Sequence, residues 1–183
     1  MKTDLSKFNN DWYQPGNKIK RALWFCFNNW FLLNKYNPFS GLKKLILRMF
    51  GAKIGKGVVI KPRVNIKYPW KLEIGDNTWI GEGVWIDNLG QVKIGANCCI
   101  SQGALLLCGN HDYKKVSFDL MVGDIELEEG VWLGAKSIVT GKVKCYSHAI
   151  LMSGSVASAD LESYTIYRGN PAEKIRERKM DNE

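Results

Sequence analysis

A repeat of 20 residues constrains the fold of this chain more than any other feature of its sequence. Ile-Gly pairs recur at Ile54-Gly55, Ile74-Gly75 and Ile94-Gly95. Within each unit apolar residues recur every six positions, and two extra residues before the next unit make 20 instead of 18. The series reads Ile54, Ile60, Ile66, Ile74, Ile80, Ile86, Ile94, Ile100 and Leu106, and after an interruption the six-residue spacing returns at Leu127, Leu133, Val139, Cys145, Leu151 and Ala157. Neither an α-helix nor a simple hairpin has a period of six residues. The spacing predicts an all-β solenoid in which three short strands make one triangular coil.

A second set of small or β-branched residues keeps the same register. Its members lie four positions after each repeat start, at Val58, Val64, Thr78, Val84, Cys98, Ala104, Val131, Ser137, Val143, Ala149 and Ser155. We expect the larger residues to point into the prism and these smaller ones to fill the space beside them. Glycine often follows the larger residue, as at Gly75 and Gly134, because a corner favours a residue without a Cβ.

Residues 1–52 precede the repeat and differ from it in composition. Residues 1–53 carry 10 Lys or Arg against Asp4 and Asp11, whereas residues 54–183 carry 16 basic and 16 acidic side chains. Two helices are predicted, over residues 18–33 and 42–50, and the first is rich in aromatic side chains. This basic, aromatic segment would either cap the open end of the solenoid or lie on a membrane surface.

The compartment is predicted from the cysteines and from the polar start of the chain. Five cysteines follow neither a disulfide framework nor a zinc-site spacing, and the first residues contain no apolar signal-peptide core. Both features favour the cytoplasm. With the basic N-terminal segment, they also leave open a peripheral position on the inner face of the plasma membrane.

The apolar phase stops after Leu106 and restarts at Leu127, which predicts an inserted loop over residues 109–124 of a solenoid that spans residues 53–166. Such insertions map to exposed loops that often carry function. Residues 167–183 are predicted as a short C-terminal helix and tail. Asn170 suits the N-cap, Pro171 the first helical position and Glu173 the third, so the helix would run to about residue 179.

Several motifs resemble one family of enzymes. Ile100-Ser101-Gln102-Gly103, Gly109-Asn110-His111-Asp112-Tyr113, Phe50-Gly51-Ala52-Lys53-Ile54-Gly55 and Tyr68-Pro69-Trp70 are similar to the colanic acid biosynthesis group of hexapeptide-repeat O-acetyltransferases. Galactoside and maltose acetyltransferases are related to that group. The resemblance runs from about residue 5 to residue 178. It implies a left-handed parallel β-helix, a homotrimer, and acetyl transfer from acetyl-CoA to a sugar hydroxyl of a polysaccharide precursor, free or lipid-linked.

The resemblance also implies site residues. In the family, a histidine in a loop of this kind is the general base, which assigns that role to His111. A loop histidine taken by itself is more often simply exposed. The family places acceptor contacts near Asp87 and Asn88, although turn residues of ordinary loops would look the same. Asp112 is a third candidate for the acceptor site, because its carboxylate could orient or polarise a ring, unless it is a turn residue of the loop.

Cofactor contacts follow from the resemblance in the same way. The family's coenzyme A lies along an edge of the prism, which implies contacts at Gly134, Ala135, Ser153 and Ser158. The family often has Thr-Lys-Asp where this chain has Ser158-Ala159-Asp160, so one expected lysine is missing. Lys174 or Arg176 would then supply the positive charge, unless both belong to an exposed face. No metal is expected.

Other functions are weighed against the acetyltransferase. A γ-class carbonic anhydrase needs three histidine ligands, and the chain has only His111 and His148. A non-catalytic solenoid that serves as a scaffold or binding module stays open as the alternative. An acyl-enzyme on Cys108 would require that thiol to contact His111. Nucleic acid is not expected as a partner, because the repeat region carries no net charge.

Overall fold

The computed structural model describes residues 2–180. Its strands are β1 (Lys53–Ile54), β2 (Val59–Ile60), β3 (Asn65–Ile66), β4 (Leu72–Ile74), β5 (Trp79–Ile80), β6 (Trp85–Asp87), β7 (Val92–Ile94), β8 (Cys99–Ile100), β9 (Leu105–Leu107), β10 (Gly109–His111), β11 (Leu120–Val122), β12 (Ile125–Leu127), β13 (Trp132–Leu133), β14 (Ile138–Thr140), β15 (Lys144–Cys145), β16 (Ile150–Leu151), β17 (Val156–Ala157), β18 (Thr165–Gly169) and β19 (Ala172–Glu177). Apart from two antiparallel hairpins, these strands form a parallel solenoid.

Three parallel sheets make the sides of a triangular prism. Sheet 1 is β1-β4-β7-β12-β15, sheet 2 is β2-β5-β8-β13-β16-β18-β19, and sheet 3 is β3-β6-β9-β14-β17. The chain visits the sheets in turn, so the described residues form five complete coils. A sixth begins where Leu161 bridges to Cys145 on sheet 1, and it continues into β18. Corresponding repeat positions stack on one another, as in the pairings of Ile54 with Ile74 and of Ile74 with Ile94. The predicted β-solenoid is confirmed.

Both predicted sets of inward residues form the core. Every member of the six-residue apolar series is buried, and so is every member of the small or β-branched series. Thr78 shows how a polar member is accommodated, because its hydroxyl donates to the Gly95 carbonyl at 2.8 Å. A buried polar group that is hydrogen-bonded avoids most of its desolvation cost.

The corner glycines lack a Cβ because the next coil passes close to them, and not because their φ is positive. A Cβ on Gly75 would lie 2.5 Å from the backbone nitrogen of Ala96, and one on Gly95 would lie 2.7 Å from the carbonyl carbon of Glu128. The backbone of the next coil therefore occupies the space that a side chain would need. Left-handed backbone conformations occur instead at other turn residues, such as Asn77 with a φ of 57°. Asparagine tolerates that conformation better than most residues.

The outer surfaces of the three sheets differ in chemistry. On sheet 1, paired outward positions alternate in charge along Lys53, Glu73, Lys93, Glu126 and Lys144. On sheet 2, the corresponding column is apolar and reads Val59, Trp79, Cys99, Trp132, Ile150 and Ile166. On sheet 3, the column is also largely apolar and reads Asn65, Trp85, Leu105, Ile138 and Val156. One side of the prism is therefore suited to water and two sides are suited to contact with protein.

The N-terminal segment contains the two predicted helices. Helix α1 spans Lys18–Phe27 and continues into a π-helical turn, Asn28–Leu32, while helix α2 spans Ser40–Met49. Short 3-10 turns lie at Leu5–Lys7 and Pro69–Lys71. Within residues 2–180, no helix is both long enough and apolar enough to span a membrane.

Helix α2 packs against the first coil and joins the core. Its Ile46 and Leu47 are buried in the same apolar cluster as the solenoid residues. The Arg48 guanidinium donates to the Ile54 carbonyl at 2.7 Å, and the Ile60 amide donates to the Ser40 hydroxyl at 2.9 Å. Lys43 of the same helix is fully buried, and this burial lowers the pKa of its ammonium group.

The predicted C-terminal helix is wrong. Residues 172–177 form β19, which pairs antiparallel with β18 in a hairpin that turns at Asn170 and Pro171. Thr165 and Tyr167 are both buried, and this alternation fits a strand that continues sheet 2. Asn-Pro is a turn signal as well as a helix-start signal, and pairing with β16 decided between them. Residues 181–183 of the predicted tail lie outside the described residues.

The predicted insertion is a β-hairpin that leaves the solenoid. Strands β10 and β11 pair antiparallel, with His111 opposite Leu120. The hairpin leaves after β9 of sheet 3 and returns at β12 of sheet 1. It therefore projects from the edge where sheets 3 and 1 meet. Pairing of Val92 with Ile125 restores the solenoid register directly after it.

Candidate functional site

A cleft of about 800 Å³ opens beside the inserted hairpin. Three parts of the chain line it. The hairpin contributes His111 and Leu120, the turns at the sheet 3–sheet 1 edge contribute Tyr68 and Leu89, and the segment before α1 contributes a third wall. Its volume lies within the range of ordinary small-molecule sites.

His111 is held in the cleft with a defined tautomer. Its Nδ1 lies 2.9 Å from the carbonyl oxygen of Phe118, and its ring stacks on the Phe118 ring with 4.5 Å between centroids. Because a carbonyl can only accept, Nδ1 carries the hydrogen and the neutral ring has its lone pair on Nε2. Such an orienting bond to Nδ1 is typical of histidines that act through Nε2.

Asp87 and Asn88 are neighbours in the sequence, but their side chains lie in different surroundings. Asp87 lines the cleft, and its Oδ1 lies 2.8 Å from Lys67 Nζ. This ion pair is the close polar contact of the buried Oδ1 among the described residues. Asn88 is completely buried and does not reach the cleft. Its amide accepts from the Tyr68 N–H at 2.9 Å and donates to the Tyr68 carbonyl.

Asp112 is placed in the hairpin loop rather than against the histidine ring. Its carboxylate accepts from the backbone N–H of Lys114 at 3.1 Å. Its own N–H donates to the Asp119 carbonyl, and its carbonyl accepts from the Lys115 N–H. These bonds shape the turn, and Asp112 is absent from the lining of the cleft.

An N-terminal arm, residues 4–17, forms the wall that sequence reasoning missed. The Asp4 N–H donates to the Val116 carbonyl at 2.9 Å, and the Tyr13 hydroxyl donates to the Leu89 carbonyl at 2.8 Å. Phe8 lies 5.8 Å from the His111 ring, centroid to centroid. Most of the arm has no regular secondary structure and no periodicity, so its sequence gave no signal that it would cross the site.

The residues predicted to bind the cofactor lie at three places. Gly134 and Ala135 stack on the Ser153 turn at the sheet 2–sheet 3 edge, where the Gly154 N–H donates to the Ala135 carbonyl at 2.9 Å. Ser158 follows β17 and therefore lies at the sheet 3–sheet 1 edge instead. Arg176 on β19 lines a shallow groove over sheet 2, together with Trp132, Ile150 and Ile166.

Lys174 and Cys108 are engaged elsewhere. Lys174 forms an ion pair with Glu162, at 2.6 Å between Nζ and Oε2. Cys108 is buried outside the lining of the cleft, and burial raises the pKa of its thiol to about 12. A thiol with that pKa is a poor nucleophile near neutral pH.

His148 lies apart from the cleft, in a corner of the solenoid. Its ring packs on the Tyr164 ring with 4.7 Å between centroids. In residues 2–180, no cluster of three or more His, Cys, Asp or Glu is close enough to hold a metal ion.

Comparison with known proteins assigns the chain to a family. No protein-family model matches the sequence. Over 176 residues, the chain is 37% identical to WcaF of Escherichia coli K12, which is named as a colanic acid biosynthesis acetyltransferase. The alignment covers 96% of this chain and 97% of that relative. The chain belongs to this acetyltransferase family.

Solved structures agree on the fold. A hexapeptide-repeat acetyltransferase from Vibrio cholerae, complexed with acetyl-CoA, superposes with a TM-score of 0.79 at 18% identity, over 89% of each chain. A galactoside acetyltransferase in complex with coenzyme A superposes with a TM-score of 0.76 at 18% identity, over 88% of this chain and 82% of that one. This acetyltransferase is therefore a left-handed parallel β-helix of the hexapeptide-repeat kind.

The burial of Asn88 leads to a test of its role. Asn88→Ala leaves the Tyr68 N–H without a partner, whereas the Tyr68 carbonyl still accepts from the Lys71 N–H. An unsatisfied buried group of this kind costs about 1–3 kcal/mol. We expect the free energy of unfolding, measured by urea denaturation, to fall by at least that much. Asn29→Ala, a matched change at an exposed position, should stay within about 0.5 kcal/mol of the parent chain. Equal stability of the two variants would contradict the structural role of Asn88.

Proposed function

We propose that the chain transfers an acetyl group from acetyl-CoA to a sugar hydroxyl of a polysaccharide precursor or related glycan. The observation that carries this proposal is the orientation of His111. Its Nδ1 is engaged by the Phe118 carbonyl, and its Nε2 is left to act in a cleft large enough for a sugar. Identity to WcaF over nearly the whole chain supports the same reaction class.

The chemistry follows from that tautomer. Acetyl-CoA supplies an activated acetyl thioester when it is bound. Nε2 of His111 takes the proton of the acceptor hydroxyl as the oxygen attacks, so the ring becomes an imidazolium whose Nδ1–H stays bonded to the Phe118 carbonyl. Nε2 then returns the proton to the departing sulfur. The transfer is direct, and no residue of the chain is acylated.

The groove on sheet 2 suits coenzyme A. Trp132, Ile150 and Ile166 provide an apolar floor, and Arg176, Arg178 and Lys179 outnumber the one carboxylate of Glu177 at the rim. An apolar floor fits a pantetheine chain, and basic side chains fit phosphates. The groove covers the outer face of sheet 2, and Gly134, Ala135 and Ser153 lie at the sheet 2–sheet 3 edge of that face. At its opposite edge, Arg178 donates to the Gly130 and His148 carbonyls at 3.2 and 3.1 Å. Ser158 is the weakest of the proposed contacts, because it lies at another edge.

The positions of base and cofactor residues support a homotrimer. The hairpin with His111 leaves the sheet 3–sheet 1 edge, whereas Gly134, Ala135 and Ser153 lie at the sheet 2–sheet 3 edge. Sheet 3 lies between these two edges. A coil side of six residues, at ~3.3 Å per residue, spans up to about 20 Å. A hydroxyl in the cleft would therefore meet a thioester held by a neighbouring protomer. The apolar outer columns of sheets 2 and 3 suit such contacts.

Acceptor contacts are proposed at the cleft itself. Asp87, which lines the cleft, is the best placed of the three predicted residues. Asn88 would act through Tyr68, and Asp112 through the shape of the hairpin loop. A scaffold without activity is the second candidate, and it predicts that acetyl-CoA does not bind.

The role of His111 is tested by a matched pair of variants. His111→Asn should lower kcat about 10²–10⁴-fold, which is the usual contribution of a general base. Thiol release from acetyl-CoA across a panel of sugars, nucleotide sugars and glycans provides the measurement. His148→Asn, the same change outside the cleft, should keep full activity. Undiminished acceptor-dependent release by His111→Asn would remove the histidine from its proposed role.

We further propose that the protein works in the cytoplasm and contacts the membrane through its N-terminal helices. On α1 and the π-helical turn that continues it, Ile19, Leu23, Cys26 and Trp30 are exposed at spacings of four, three and four residues, so they form one stripe. This stripe faces away from Trp24, the buried residue of the helix. A helix that is apolar on its water-facing side needs a partner there.

Helix α2 adds a second stripe, made of Leu42, Leu45 and Met49. It points away from the first coil, because the opposite side of α2 packs on that coil. Basic side chains are concentrated in the same N-terminal segment. Apolar and basic groups together suit an anionic lipid surface.

Flotation of the intact protein with anionic liposomes tests the membrane contact. Leu23→Glu and Trp30→Glu should each reduce the floated fraction, because a carboxylate disfavours both the apolar and the anionic parts of the surface. Ile175→Glu places the same charge on an exposed apolar position of β19 and should have no effect. Absence of flotation by the parent protein would contradict the membrane contact. Loss of the trimer in Leu23→Glu and Trp30→Glu, but not in Ile175→Glu, would show that the stripe contacts another protomer instead.

A further inference from the structure

The first turn of α1 directs two basic side chains toward the cleft that holds His111. Lys18 is the first residue of the helix and Arg21 follows three residues later, so the two share one face. Both line the cleft, whereas Ile19 and Leu23 on the other side of the helix are exposed to solvent. One helix thus separates a basic surface inside the site from an apolar surface outside it.

These two cations lack counter-ions. Lys67 is the third basic residue of the cleft, and it is paired with Asp87. Across residues 2–180, neither Lys18 nor Arg21 lies within ion-pair distance of a carboxylate. Asp11 also lines the cleft, and its carboxylate accepts from the Asn9 amide at 3.0 Å rather than pairing with either cation. With Lys18, Arg21 and Lys67 against Asp11 and Asp87, the lining has one positive charge that its carboxylates do not balance.

Arg21 shows the clearest sign of a missing partner. Its Nε is buried and has no hydrogen-bond partner among the residues that the structure describes. A buried donor without an acceptor is costly, and a charged one more so. An anion bound against the guanidinium from the cleft would offset part of that cost.

The helix start runs against the usual rule for stability. Acidic side chains favour the first turn of a helix, because the macrodipole is positive there. Helix α1 has no acidic residue in that turn and has Lys18 and Arg21 instead. The dipole adds to both charges in attracting an anion. Departures from a local rule of this kind are expected at functional sites.

We infer that Lys18 and Arg21 form an anion subsite for a phosphate or carboxylate of the acceptor, so that the enzyme acts on a charged sugar. This inference rests on the proposed function only in assigning the cleft to the acceptor. The sugar hydroxyl would lie at Nε2 of His111, and the anionic group would lie at the start of α1. Neutral glycosides would then be poor acceptors.

Calorimetric titration of the intact protein, saturated with coenzyme A, tests the subsite directly. Saturation fills the phosphate contacts of the cofactor before inorganic pyrophosphate or glucuronate is added. Pyrophosphate represents a sugar phosphate, and glucuronate represents a carboxylate. Arg21→Gln and Lys18→Gln should each weaken the affinity of the preferred probe about tenfold, as expected for the loss of one charge-assisted contact. Methyl glucoside serves as the neutral control probe.

Three matched variants complete the design. Lys35→Gln removes one charge from an exposed site in the same segment, outside the cleft, and should leave probe affinity unchanged. Arg21→Lys keeps the charge and should retain most of the affinity, which guards against a folding defect in Arg21→Gln. His111→Asn should lower kcat about 10²–10⁴-fold but keep probe binding, so failure of the catalytic proposal and failure of the subsite are distinguishable.

The inference is overturned by any of three results. The first is that neither probe binds the coenzyme A complex. The second is that Lys35→Gln weakens binding as much as Arg21→Gln. The third is that Arg21→Gln weakens acetyl-CoA binding and leaves both probes unaffected, which would assign Arg21 to the cofactor.

Discussion

Backbone pairing between successive coils is the constraint on which the rest of the structure depends. Each coil forms hydrogen bonds with the next at matching positions, as Gly75 N–H does with the Ile94 carbonyl at 2.8 Å. The same contact leaves no room for side chains at the corner glycines. Since each coil buries its inward side chains only when its neighbours are in register, stability is shared between adjacent repeats.

This constraint explains where the chemistry lies. The coils themselves are regular, and their inward residues are committed to the core. Functional groups are therefore expected where the chain leaves the repeat. The β10–β11 hairpin positions His111, the N-terminal arm closes the cleft, and α1 brings Lys18 and Arg21 to its rim. The register resumes at β12 directly after the hairpin, so the insertion costs the solenoid little.

Sequence reasoning identified the solenoid because its signal is periodic and depends on burial alone. The inserted loop was found as an interruption of that period, and His111 through a family resemblance. The C-terminal helix failed because Asn170 and Pro171 suit a turn as well as a helix start, and only pairing with β16 decides. Asn88 and the N-terminal arm depend on contacts between distant residues, such as Asn88 with Tyr68 and Tyr13 with Leu89. No local pattern encodes those contacts.

Complementation in mixed trimers tests the central claim, that each active site combines His111 of one protomer with the Gly134 edge of another. His111→Asn removes the proposed base, and Ser153→Trp blocks the proposed cofactor edge at an exposed turn. Each variant alone should be an inactive trimer. Random 1:1 mixing should restore roughly a quarter of parent activity, since about three quarters of trimers contain both variants and each of those has one intact site. No recovery in verified mixed trimers would mean that base and cofactor residues act within a single protomer.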